Sequence, residues 1–402
     1  MTIAEPRASL HPAPDISDLV DTARRLVPVL RAHAARNESE RRLSSETIAA
    51  LTDSGMFKLL VPKRFGGYQV PLRDFLDITA TLAEGEGAAS WLAAVCNSCA
   101  WMASLFPERA QHDVFGAGRD VIVSGVTAPT ATAVRVDGGF RVSGRWHYNS
   151  GSWHADWAVL GIPLVDSDGT VLDSALALVP AADYTVEDTW FMAGMAATGS
   201  NCLVAEDIFI PEHRVMALAP VLGGSYPTEH TDEALYRSAF GPFVATVIVG
   251  PLLGLGRAAL DLVTTKAAEK SIAFTVYEKQ RDSTAFQVAV ADAALKIDTA
   301  HLHAYRAAEV VDESAAGAIF PELPLRARVR ADLGHVVENV VDAINTLLYI
   351  HGSSSFAAGN DLQRIWRDAN VGARHAVVQP LIGKEIYGKA LLGVDEQVSP
   401  LL

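Results

Sequence analysis

The sequence predicts an α+β chain laid out in three successive parts: helices, then strands, then helices. Three observations predict it. Apolar residues recur at helical spacing from Ile16 to about Ala110. Short β-rich runs separated by turn residues then follow one another up to Pro211. Beyond a loop rich in Gly, Pro and Thr, long stretches carry Ala, Leu and Val on one face down to the C-terminus. No strand–helix alternation and no internal repeat interrupts this order, which excludes a doubly wound sheet. The expected divisions are an N-terminal α-helical domain over 1–118, a middle β domain over 119–217 and a C-terminal helical bundle over 218–402.

The elements are justified in order. Residues 1–14 are rich in Pro and Ala and are expected to fray. Leu19, Val20, Ala23, Leu26, Val27 and Leu30 mark one helical face. Ser44 is a cap candidate for a helix beginning at Ser45, with Thr47 where a capping box prefers Glu. Lys63-Arg64-Phe65-Gly66-Gly67-Tyr68 reads as a turn, and helical patterns resume at Leu72. Val121–Val123, Ala133–Val136, Gly139–Val142, Trp157–Leu160, Ala175–Val179, Thr185–Trp190, and Asn201–Val204 leading to Asp207–Pro211, read as strands of a small barrel or sandwich. Asp137-Gly138-Gly139 and Asp168-Gly169 are turns between them.

Composition narrows the function. A chain of 402 residues, 50% hydrophobic and 20% charged, buries a large core and is not a disordered segment. A net charge of −14 without clustered Lys and Arg argues against nucleic acid. The N-terminus lacks the pattern of a signal peptide, and the apolar run Phe243–Leu255 is broken by Gly and Pro, so a cytoplasmic protein without a membrane span is expected. Three cysteines, Cys96, Cys99 and Cys202, are too few for a disulfide framework. Cys96-Asn97-Ser98-Cys99 lies in a run of small residues with no second ligand pair, which reads as buried helix, and no metal site is expected. Gly254-Leu255-Gly256-Arg257-Ala258-Ala259 matches a dinucleotide fingerprint, but helix and no second strand follows it; close helix packing is the expected use of those glycines.

Two segments hold residues suited to chemistry. Trp146-His147-Tyr148-Asn149-Ser150-Gly151 reads as a strand whose alternation puts Trp146, Tyr148 and Ser150 on one face. A hydroxyl among aromatic rings suits a planar cofactor, although a half-buried strand with core aromatics and a Ser-Gly turn fits equally. Arg364-Ile365-Trp366-Arg367-Asp368 leads by way of Arg374 to His375 at a helix end. A histidine of ordinary pKa near about 6.5 takes a phenol proton at neutral pH; a capping or core histidine is the alternative.

These segments resemble a known family. Trp146-x-x-x-Ser150-Gly151-x-x-His154-Ala155-x-Trp157 is similar to the flavin-facing strand of two-component, reduced-flavin-dependent aromatic monooxygenases. These are oxygenase components of acyl-CoA dehydrogenase fold, and they include 4-hydroxyphenylacetate and steroid-ring phenol hydroxylases. Phe65-Gly66-Gly67, Trp190–Asn201, Val204–Pro211, Arg281–Gln287 and Leu362–Asp368 with His375 extend the likeness in order from about residue 20 to about residue 392.

The resemblance implies an N-terminal helical domain, a middle β-barrel or sandwich and a C-terminal four-helix bundle. It implies reduced FMN or FAD from a separate flavin reductase, reached even by diffusion alone, with O2 as co-substrate. A small aromatic substrate (phenol-, indole- or polyketide-like) would be hydroxylated through a flavin C4a-hydroperoxide, in a homotetramer. Ser150 corresponds to a serine near flavin N5, and Ser124 and Thr127 to contacts at the isoalloxazine edge. Trp146 belongs to the same strand, Thr198, Gly199 and Ser200 to a turn beside the flavin, and Arg281 to an arginine on a flavin phosphate. For Arg281 the alternative is an ion pair with Glu278 or Asp282. His375 corresponds to the histidine that assists substrate. Trp91, Cys99 and Gln379 should face substrate; the family often has histidine at the position of Cys99, and some members an acid at that of Gln379. The alternatives are N- or S-oxygenation, acyl-CoA dehydrogenation, which the absence of a glutamate base at His375 disfavours, and a non-catalytic flavin or ligand binder.

Overall fold

A computed structural model describes residues 15–118, 120–165, 170–396 and 398–402. The expected fraying of residues 1–14 and the Asp168-Gly169 turn lie outside the described residues. Helices α1 (Ile16–Glu40), α2 (Ser45–Asp53), α3 (Leu72–Ala83), α4 (Gly87–Ser104) and α5 (Glu108–Phe115) come first. Ser44 caps α2 as expected, its hydroxyl accepting the Thr47 N–H at 3.3 Å. Helix α4 is buried on all sides except at Val95. Its run of Ala, Ser and Gly lets neighbours approach from every direction, which an amphipathic helix would forbid. Cys96 and Cys99 sit mid-helix within it, both buried and unbridged.

The strands are β1 (Val123–Val126), β2 (Ala131–Val136), β3 (Gly139–Asn149), β4 (Trp157–Val165), β5 (Val171–Pro180), β6 (Thr185–Glu187), β7 (Asn201–Pro211) and β8 (Val215–Ala217). They form two four-stranded sheets, β1-β4-β5-β8 and β2-β3-β7-β6, which settles the barrel-or-sandwich question as a sandwich. Strand β8 has no signature in the sequence because it is three residues long and gains its state only from pairing with β5. Val142, Trp146, Ala158, Leu160, Ala177 and Leu203 fill the space between the sheets. Val159 and Leu178 point the other way and join the main core, where β1 packs on α4.

The remainder is helical: α6 (Leu218–Leu222), α7 (Phe240–Val247), α8 (Val249–Lys266), α9 (Thr284–Ala316), α10 (Leu323–His351), α11 (Asp361–Gly372) and α12 (Pro380–Leu392). The fingerprint-like glycines lie inside α8 and serve packing. A Cβ on Gly254 would come 2.0 Å from the Ala80 carbonyl, and one on Gly256 3.3 Å from Ile297 Cγ1. The stretch Phe240–Lys266 is long and apolar enough to cross a membrane, but 83% of its most apolar window is buried within the fold. It is therefore the central core helix.

Candidate active site

Two turns, one after β3 and one before β7, meet above α4. Strand β3 leaves its register with β7 between Trp146 and Asn149, where Tyr148 takes a φ of 68°. This corrects the expected alternation. His147 and Tyr148 both face outward, while Asn149 and Ser150 both turn inward, because a bulge shifts the side-chain phase by one residue. The chain then bends at Gly151 with a φ of 80°. A Cβ there would lie 3.0 Å from Leu92 Cδ1 and 3.3 Å from Cys96 Sγ, so glycine alone seats the turn on α4.

The second turn is Met195-Ala196-Ala197-Thr198-Gly199-Ser200. Met195 and Gly199 are both left-handed, and the Gly151 N–H donates to the Thr198 carbonyl at 2.9 Å, joining the two turns. The hydroxyls of Ser150 and Ser200 are 2.8 Å apart, and those of Ser200 and Thr198 are 2.7 Å apart. Thr198 donates its single proton to the Met195 carbonyl at 2.8 Å. Thr198 Oγ1 must then accept from Ser200, and Ser200 Oγ from Ser150. The protons of the row run one way and leave the lone pairs of Ser150 at its free end. Beside it, Ser152 donates to the Gly199 carbonyl at 2.7 Å and accepts from Asn201 at 3.2 Å.

Helix α11 holds this turn. Asp368 accepts the Met195 N–H at 2.5 Å, and Arg367 donates to the Ala193 carbonyl while pairing with Glu38 at 2.5 Å. Burial pushes the Asp368 carboxyl up to about 6. The Arg367-Asp368 pair, which the sequence offered only as a motif ahead of a histidine, is thus the anchor of the hydroxyl row. Asn201, accepting the N–H groups of Thr189 and Trp190 at 3.0 Å each, fixes the other end of the loop; nothing in its sequence context signals that role.

Trp91 connects the row to His375. A Cβ on Gly372 would stand 3.2 Å from both Met195 Cε and Trp91 Cζ3, so α11, the hydroxyl turn and α4 meet there. The Trp91 and His375 rings are 5.8 Å apart, inclined at 59°. His375 caps the short turn Ala376–Val378, Nδ1 accepting the Val377 N–H at 3.4 Å. Its side chain is exposed at the end of α11, against the ring of Trp91. Desolvation by the surrounding protein, with the charge of Arg330 second, lowers the affinity of the imidazole for a proton.

Other candidates are placed differently. Trp146 is fully buried between the sheets, with Nε1 donating to the Gly161 carbonyl at 2.8 Å. Ser124 is likewise buried on the inter-sheet side. Burial holds the nearby Tyr184 phenol high, Ser124 offsets this only in part, and no hydrogen bond of ordinary geometry joins the two hydroxyls. Thr127, just past β1, is half-buried. Cys99 packs against β1, its sulfur 2.9 Å from where a Gly125 Cβ would be, rather than facing open space. Gln379 caps α12, its Oε1 accepting the Ile382 N–H at 2.8 Å, which commits the oxygen expected to face substrate. It also lines a cleft of about 550 Å3 with His335, Glu338, Asp342, Asn345 and Arg374. That cleft runs along α10, and none of Ser150, Thr198 or Ser200 lines it, so the hydroxyl row is taken as the centre of the site. Arg281 is exposed, 3.9 Å from Asp282, and a single chain does not bring it to the row.

The residues fit a planar cofactor with a donor on its rim: Ser150 offers lone pairs, two glycine turns keep side chains clear, and the buried Asn149 amide has no partner in the chain. Comparison with known proteins agrees. Residues 246–380 match the acyl-CoA dehydrogenase C-terminal domain. The chain is 34% identical over 372 residues to the flavin-dependent monooxygenase oxygenase subunit HsaA of Rhodococcus jostii, covering 92% of this chain and 97% of that one. It is 28% identical to the oxygenase component of the FADH2-dependent resorcinol hydroxylase of a Rhizobium species, with 94% of each chain covered. Among solved structures, XiaF from Streptomyces in complex with FADH2 and glycerol superposes with a TM-score of 0.91 at 36% identity, covering 96% of this chain and 98% of that one.

Proposed function

Since the chain belongs to the oxygenase subunits of flavin-dependent monooxygenases, we propose that it hydroxylates a small phenol-like aromatic compound at the hydroxyl row and His375. It is the oxygenase component of a two-component system and works with reduced flavin supplied by a separate reductase. The observation that carries the residue assignment is the one-way proton order of Thr198, Ser200 and Ser150. A row ending in lone pairs prefers a partner with an N–H, and a flavin has one at N5 only when reduced.

The reduced flavin supplies activation of O2 and transfer of one oxygen atom to the acceptor. Ser150 accepts a hydrogen bond at the rim of the ring, while the Thr198-Gly199-Ser200 turn, held by Asp368, keeps that acceptor in place. Trp91 walls the space between the row and His375 and keeps water from the reacting atoms. His375 orients the oxygen of the acceptor. Arg281 serves a flavin phosphate of a neighbouring subunit in a homotetramer, since its guanidinium is exposed and its fork suits a phosphate. The cytoplasm is the proposed location, where reductase and reduced flavin are available.

Oxygen uptake and product formation test this reading. With a flavin reductase, NADH, FMN and a phenolic acceptor, the chain should form hydroxylated product, and without the reductase it should oxidise no NADH. Rapid NADH oxidation by the isolated chain with free FMN would overturn the two-component assignment.

A further inference from the structure

We propose that Glu86 is a positioning residue of this site: it shares a single proton with Asp368, and the hydroxyl turn keeps its charged anchor only while Glu86 stays neutral. The proposal rests on the oxygenase reading of the site and concerns the range of pH over which reduced flavin is accepted.

Three elements meet behind the turn: the C-terminal end of α1, the start of α4 and helix α11. Asn37 joins the first two, its Nδ2 donating to Glu86 Oε2 at 2.8 Å. Glu38, next to Asn37, pairs with Arg367, next to Asp368, at 2.5 Å and so joins α1 to α11. Glu86 and Asp368 are both almost wholly buried, which shuts two carboxyls into one junction.

The cations there are already engaged. Arg367 is taken by Glu38 and by the Ala193 carbonyl, and Arg364 by Asp361 at 2.7 Å. Among the described residues neither Glu86 nor Asp368 has an ion pair of its own. Two such carboxyls do not both ionise readily, because the second charge is desolvated and also repelled by the first.

Hydrogen bonds decide which of them keeps the proton. Asp368 accepts the Met195 N–H at 2.5 Å, a donor that favours its charged form. Glu86 receives one amide proton from Asn37. The other goes to Thr47 Oγ1 at 3.1 Å, and Asn37 Oδ1 takes the Ser44 N–H at 2.8 Å, so Asn37 has no further donor to give. Glu86 also stands at the N-cap of α4, where a carboxylate is favoured by the N–H groups of the first turn, yet its side chain makes no cap bond. Burial raises both carboxyls, Asp368 to about 6 and Glu86 to about 8, with the charge of Asp368 adding to the rise of Glu86. Between those values the pair holds one proton, and it rests on Glu86.

The groups facing the pair are Asn37 and Glu38 from α1, Thr47 from α2, Arg364 and Arg367 from α11, and the Met195 N–H from the turn. When Glu86 ionises, a second negative charge stands beside Asp368 and Glu38, with both arginines already engaged. Repulsion then draws α4 and α11 apart and loosens Asp368 on Met195. Thr198, which donates to the Met195 carbonyl, moves with it and disturbs the row. Affinity for reduced flavin therefore falls as pH rises through about 8.

Infrared spectra of the full chain without flavin, from about pH 5 to about pH 10, read the proton directly, because a protonated carboxyl absorbs apart from a carboxylate. Above about pH 7 a protonated-carboxyl band should remain in the native chain and be missing from Glu86→Gln. In Asp368→Asn, which keeps an acceptor without the charge, Glu86 should ionise at a pH lower by about one unit, a tenfold change in proton affinity. The second measurement is anaerobic titration with reduced FMN. Native affinity relative to Glu86→Gln should fall about tenfold between about pH 7 and about pH 9, and taking the ratio cancels ionisation of the flavin itself. A native band already lost in the ordinary carboxylate range, or one that disappears at the same pH in Asp368→Asn, overturns the shared proton. A ratio that is flat with pH overturns the positioning role, since a carboxyl serving the fold alone would move stability and leave the ratio unchanged. Should Glu86→Gln fail to fold, the band in Asp368→Asn and the pH dependence of native affinity decide. A native chain that binds no reduced FMN at any pH overturns the oxygenase reading and with it the positioning role, whereas the infrared result on the shared proton stands by itself.

Discussion

Asp368 accepts the backbone N–H of Met195 at 2.5 Å across 173 residues of sequence, and this bond ties a helix of the C-terminal bundle to the turn that carries the hydroxyl row. The same turn receives Trp190 Nε1 on the Met195 carbonyl at 2.9 Å, so Met195 is held through both of its backbone polar groups. A carboxylate serves because the N–H is buried and a charged acceptor binds it more tightly than a neutral one.

Removing that acceptor should therefore disturb the site more than the fold. Asp368→Ala leaves a buried N–H unpaired, at about 1.5–3 kcal/mol for a bond to a charged group, and should weaken reduced-flavin binding by roughly ten- to a hundredfold. Asp368→Asn keeps an acceptor and should lose much less. Titration of anaerobic reduced flavin checks this; equal affinities for the two variants would remove Asp368 from the role assigned to it.

Ser150→Ala should leave the fold intact and shorten the useful life of activated oxygen. The side chain is small and buried, and its loss frees Ser200 as well. One lost hydrogen bond of about 1.5–3 kcal/mol corresponds to roughly a ten- to hundredfold larger leak to hydrogen peroxide. The measure is peroxide released per reduced flavin consumed. Native coupling in the variant would place Ser150 outside the cofactor's reach.

Glu86 carries a pH signature of its own. It is 4% exposed, accepts from Asn37 Nδ2 at 2.8 Å, and burial first, then Asp368 and Glu38, raise its carboxyl to about 8. The folded chain thus prefers Glu86 protonated. That stability is fully present below the ordinary carboxylate range near about 4.5 and is lost as pH rises through about 8. Glu86→Gln imitates the protonated form. It should raise the Tm little near pH 5 and progressively more toward about pH 9. A gain independent of pH, or none, contradicts the buried carboxyl.

The thiols should be inert in the native chain. Burial pushes Cys99 up to about 12, holds Cys96 well above the ordinary thiol range and also raises Cys202. Ellman's reagent near about pH 8 should find no fast-reacting thiol in the folded protein and all three after denaturation. A rapidly modified Cys96 or Cys99 in the native state would show that α4 opens beneath the site.

The sequence by itself determined the order of helices and strands, the buried character of α4, the cap at Ser44 and the packing use of Gly254 and Gly256. Each of these is written in periodicity, residue size or a local hydrogen bond, which neighbours in the chain already decide. It also singled out Ser150 and His375. What it did not determine is how they are presented. Alternation along β3 predicts a shared face for Trp146 and Ser150, yet the bulge at Tyr148 sends Trp146 into the sandwich core and Ser150 to the hydroxyl row. Gln379 and Cys99 read as pocket residues, and the sequence does not show that Gln379 also caps α12 or that Cys99 packs against β1. The role of Asp368 depends on a buried carboxylate meeting an N–H that lies 173 residues away in sequence. Only the tertiary structure decided these, because a charge is compensated or left bare by what the folded chain brings beside it, and no local pattern records that.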